Sequence, residues 1–74
     1  MREVIVGKKY KHFKGIIVEV IAIAKNTENL EDMVIYNHDG EIWARPYEMF
    51  ISEVDHDKYP EIKQKYRFEE VNDE

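Results

Sequence analysis

The sequence predicts an all-β fold, a small barrel of about five strands, and three observations carry that reading. The run "IIVEVIAIAK" from Ile16 to Lys25 is rich in β-branched residues and reads as one long strand. "MVIY" and "EIWARP" flank Asn37-His38-Asp39-Gly40, and the Asp-Gly pair supplies the positive φ values that a tight hairpin needs. Short strands follow one another at barrel spacing, and helical periodicity is nearly absent.

Taken in order, Gly7 ends a short apolar run from Val4 to Val6, and Gly15 separates "KKYKHFK" from the long strand. Gly15 is best explained by a turn that requires positive φ. The polar "KNTENLED" that follows the long strand is a loop. In "WARPYEMF", Pro46 ends a strand whose next N–H would be unpaired, and Met49, Phe50 and Ile51 read as a short helical turn that plugs the barrel end. In the tail "KYPEIKQKYRFEEVNDE", Tyr59, Ile62 and Tyr66 favour a short C-terminal helical segment started by Pro60, after which Tyr66 and Phe68 suggest a closing strand.

Seventy-four residues make a single domain, residues 1–74, with no room for a second. A chain this short buries only about 60% of the surface that its unfolded form exposes, so tight packing or self-association must hold it together. The chain has no cysteine, which excludes disulfides and thiolate zinc sites and points to a reducing, cytoplasmic setting. No apolar run has the length of a signal peptide or a bilayer span. The net charge of −5 divides into a basic head, with Arg2, Lys8, Lys9, Lys11 and Lys14 against Glu3, and an acidic remainder. Such a balance argues against nucleic acid as a general partner, because non-specific affinity comes from neutralising many phosphates at once. A small anion needs only one or two cations.

The hairpin sorts its side chains whether its loop has two residues or four. Met33, Ile35, Ile42 and Ala44 share one face, and Val34, Tyr36, Trp43 and Arg45 share the other. The first set is expected in the core, together with Val20, Ala22 and Phe50. The second set is amphipathic, with two rings beside a guanidinium, and can stack on a planar ligand and pair with its anion.

"YKHFKG" at 10–15, "IAK" at 23–25, "MVIY" at 33–36, "WARPYEMF" at 43–50 and "YRF" at 66–68, in that order, resemble the small bacterial and phage proteins grouped as domain of unknown function 1653. The resemblance runs from Gly7 to Val71 and implies a compact SH3-like β-barrel with no settled activity. It departs from the family at Ile17-Val18, where an aromatic residue is expected. Carried over residue by residue, the pattern picks out His12, Lys14, Gly15, Trp43, Arg45, Pro46 and Phe50.

Alternation places Tyr10, His12 and Lys14 on one side of their segment, so that an imidazole and an ammonium project together. The expected ligand-binding set is therefore His12, Lys14, Tyr36, Trp43 and Arg45. Each has a plainer alternative: a solvated strand face for His12 and Lys14, an ion pair to Asp32, Glu48 or Glu53 for Arg45, and packing for Trp43. No activated nucleophile, Gly-rich phosphate loop or metal-ligand spacing is present, so neither an enzyme nor a metal or other cofactor is expected. The expected function is a non-enzymatic binding module for a small anionic, nucleotide-like ligand, suited in a phage to sequestering a host immune signalling nucleotide. The alternative is a protein- or RNA-interaction module that uses the same aromatic and basic face. Strand edges and the aromatics Tyr59, Tyr66 and Phe68 suggest a homodimer.

Overall fold

The computed structural model describes residues 3–71. Strands β1 (Lys9–His12), β2 (Ile17–Lys25), β3 (Asp32–His38) and β4 (Glu41–Pro46) are followed by the one-turn helix α1 (Tyr47–Phe50) and by β5 (Phe68–Glu70). The five strands form one antiparallel sheet in the order β4-β3-β2-β1-β5, so the expected all-β class and the closing strand are both present. No helix among the described residues is long and apolar enough to cross a membrane.

Local chemistry sets the turns. Asp39 and Gly40 have φ of 53° and 84°, and His38 lies opposite Glu41, so the β3–β4 connection is the two-residue loop in which both residues need positive φ. Between β1 and β2, the His12 N–H donates to the Ile16 carbonyl at 2.7 Å, and Gly15 turns the chain with φ of 95°.

The sheet order places β4 and β5 at opposite edges, about 19 Å apart if the sheet were flat. Yet the Arg45 Cζ on β4 lies 5.6 Å from the ring centre of Phe68 on β5. The sheet therefore coils until its edges approach. A bulge between Val20 and Ala22 adds to the bend, as an extra residue in one strand does.

Inside the coil, Phe50 is fully buried; it stacks on Phe68 at 4.1 Å and packs against Tyr10 at 5.4 Å and Tyr36 at 5.8 Å. Val4, Val18, Val20 and Val34 complete this cluster. Helix α1 thus plugs the barrel with Phe50, as the sequence suggested.

The core lies on the other face of the hairpin from the one expected. The pairing sorts the side chains as the hairpin predicts, with Tyr36 opposite Trp43 and Val34 opposite Arg45, but it is Val34 and Tyr36 that are buried. Ile42 is 60% exposed, Ala44 is exposed, and Met33 and Ile35 are only half-buried. The concave side is the one that Phe50 enters, so the side chains that share it, Val34 and Tyr36, are the ones covered, with Tyr36 packed on Phe50 at 5.8 Å. Ala22, also expected inside, is exposed, because the bulge reverses the alternation and pairs Ala22 with Ile35 on the outer face.

The segment around Pro60 forms turns in place of a helical turn or two. The Asp55 carbonyl accepts from the N–H groups of Lys58 and Tyr59, and the Asp55 carboxylate accepts from Asp57 N–H at 3.2 Å. A short acidic side chain that bonds its own backbone competes with helix, and Pro60 disfavours the α region for Tyr59.

Candidate ligand pocket

Where the sheet edges approach, a cavity of about 150 Å³ is lined by His12, Ile16, Val18, Tyr36, His38, Trp43, Arg45 and Phe68. Four of the five expected site residues, His12, Tyr36, Trp43 and Arg45, therefore meet in one place, drawn from β1, β3 and β4. Trp43 is 49% exposed, whereas Tyr36 opposite it is buried, so the two rings form an outer and an inner wall.

Lys14 does not line the cavity. Strand β1 ends at His12, so the alternation that would have set Lys14 beside the imidazole stops two residues early. Lys14 sits in the turn with its Nζ 5.9 Å from the Phe13 ring centre and 5.6 Å from that of Tyr59. Its backbone still serves the site, because Lys14 N–H donates to His12 Nδ1 at 3.1 Å.

That bond occupies the Nδ1 lone pair and leaves the proton of the neutral ring on Nε2. Burial lowers the His12 pKa to about 4, and the nearby positive charges of Arg45, Arg67 and Lys14 push in the same direction. His12 is therefore a neutral donor in a cationic setting. His38, two residues beyond Tyr36 on the same strand face, donates from Nδ1 to the Ile17 carbonyl at 3.3 Å.

Arg45 makes no ion pair among the described residues. Of its three possible carboxylate partners, Asp32 is bonded to Lys25 at 2.8 Å, and neither Glu48 nor Glu53 comes within ion-pair reach. The Arg45 Nε is buried without a hydrogen-bond partner among the described residues, and the guanidinium lies against the Phe68 ring. A buried, unpaired donor is costly and uncommon. No carboxylate among the described residues lines the cavity, so none of them cancels the charge of Arg45 there.

A second, larger hollow of about 890 Å³ lies elsewhere, walled in part by Leu30, Tyr47 and Met49. Its rim carries Glu3, Glu31, Asp32 and Glu48, and its one lysine, Lys25, is already paired. It repels anions and contains none of the expected site residues, so the smaller cavity is the candidate.

Four lining residues were not anticipated. His38 was legible, since it follows Tyr36 by two positions in a strand. Phe68 was not, because it enters through the pairing of β1 with β5, where it lies opposite His12.

Residues 8–70, a span that holds the whole cavity lining, match the family described as "Protein of unknown function (DUF1653)". The chain belongs to this family. No curated protein and no solved structure matches it. The DUF1653 description carries no activity, so the functional reading of this DUF1653 chain rests on the cavity itself.

Proposed function

We propose that this chain is a non-enzymatic binding module for a small anionic, nucleotide-like ligand, whose cavity takes one planar ring of it. The observation that carries this reading is the Arg45 guanidinium, whose buried Nε has no hydrogen-bond partner among the described residues, in a ring-walled cavity that none of their carboxylates lines. Trp43 and Tyr36 supply stacking surface, Arg45 meets the anion, and His12 donates from Nε2. A volume of about 150 Å³ is the size of a cavity that holds one benzene-sized ring, and it is smaller than the roughly 300–1,000 Å³ of most ligand pockets. One ring enters, and the anionic remainder of the ligand stays at the mouth, within reach of Arg45. A module that binds without reacting suits sequestration of a signalling nucleotide.

Calorimetric titration of AMP into the native protein and into Arg45→Ala, with a thermal melt of each, tests the proposal. A charge-assisted contact is worth about 1.5–3 kcal/mol, so Arg45→Ala should weaken AMP binding by roughly tenfold to a hundredfold with the melting temperature nearly unchanged. Equal affinity in the folded variant would refute the role of Arg45.

A further inference from the structure

The cavity is one end of a longer run of rings. Within the run, the His12 ring lies edge-on to Phe68 at 4.9 Å and stacks on Phe13 at 4.4 Å, and Phe13 packs against Tyr59 at 5.1 Å. Cations accompany the run at both ends. Arg45 lies against Phe68 inside the cavity, and outside it Lys14 and Lys58 lie 5.6 Å and 5.5 Å from the centre of the same Tyr59 ring. Neither lysine has a carboxylate partner among the described residues. Both ammonium groups therefore lie within reach of one aromatic surface, where an anionic group could meet either of them.

We infer that the ligand is of the dinucleotide class, with one base in the cavity and its second half lying outside against Phe13 and Tyr59, met by Lys14 and Lys58. This rests on the binding reading above and extends it. The size of the cavity requires most of a nucleotide to stay outside, and the adjoining surface presents the same two elements, rings and unpaired cations. Phe13 and Tyr59 are half-buried and already packed on one another, so the outer platform is formed before any ligand arrives. It also gives Lys14 a role that its absence from the cavity lining would otherwise remove.

The test is calorimetric titration, at one fixed salt concentration, with AMP, with the 5′-phosphorylated dinucleotide pApA and with a ten-residue oligoadenylate. The native protein should bind pApA at least tenfold more tightly than AMP. In the double variant Lys14→Gln, Lys58→Gln, which removes two exposed charges and leaves the rings in place, the ratio of the two affinities should fall toward one. Equal binding of AMP and pApA by the native protein would overturn the inference and leave the cavity reading standing. Binding of neither would remove both. Oligoadenylate binding more than tenfold tighter than pApA would also overturn it, since the site would then follow a polymer.

Discussion

Replacing Phe50 with leucine should remove a large part of what holds the barrel together. The Phe50 ring has no exposed surface and meets Phe68, Tyr10 and Tyr36 at centroid distances of 4.1, 5.4 and 5.8 Å. Leucine keeps most of the apolar area but loses all three ring pairs, each worth about 0.5–1.5 kcal/mol beyond burial. The three pairs share one ring and do not simply add, so we expect a loss of about 2 kcal/mol. A domain of this length has about 4–11 kcal/mol in total, at roughly 0.05–0.15 kcal/mol per residue. In urea, with a slope near 1 kcal/mol/M for so small a protein, the unfolding midpoint followed by circular dichroism should fall by about 2 M. Phe50→Ala, at about 3–5 kcal/mol, should leave much of the protein unfolded even without urea. A Phe50→Leu midpoint within about 0.3 M of the parent's, at unchanged slope, would show that the ring cluster does not hold the core.

Two further outcomes follow from burial and charge. Val34→Ala, on the concave face, should cost about 2 kcal/mol, whereas Ile42→Thr, on the exposed outer face, should stay within about 0.5 kcal/mol; paired urea titrations that gave the reverse order would restore the opposite face assignment. His12 bears on acid stability. Its folded pKa of about 4 lies below the ordinary 6.5, so between these values the unfolded chain takes up a proton that the folded chain refuses, and stability falls as the pH drops through this window. Above pH 6.5 the ring is neutral in both states and contributes nothing. The full depression corresponds to about 3 kcal/mol, and solvent screening of this part-exposed ring reduces it to about 1–2 kcal/mol. Urea midpoints measured from pH 7 to pH 4 should fall less steeply for His12→Gln than for the parent; identical slopes would contradict the assignment.

Strands and turns were legible where their cause is local. The β-branched run at 16–25 has no competing periodicity, and Asp39-Gly40 admits few other turns, so the hairpin and its two side-chain sets could be read directly. Which set is inside depends on the direction in which the sheet coils, and that is decided by strands far apart in the chain and by where Phe50 enters. The exposed Ile42 and Ala44 show that apolarity alone does not identify the inner face. The pocket followed the same division. His12, Tyr36, Trp43 and Arg45 could be chosen as rings and cations on half-polar strands, whereas Lys14 was misplaced because the strand ends at His12. Of the aromatics proposed for a dimer contact, one is covered and two are partly covered. Phe68 is buried, and Tyr59 and Tyr66 are half-buried, with Tyr59 packed on Phe13.

The approach of β4 to β5 makes the cavity a property of the closed molecule. Its walls come from both outer strands of the sheet, so an occupant bridging Trp43 and Arg45 on one side and Phe68 on the other acts as a clasp across the seam. Opening the seam would dismantle the candidate site, and a bound ligand would resist the opening. At a concentration a hundred times the Kd of the proposed ligand, that linkage would add about 2.7 kcal/mol to the stability of the chain, comparable to the loss expected for Phe50→Leu. Occupancy would be visible as slower proteolysis and hydrogen exchange along the whole sheet as well as at the pocket.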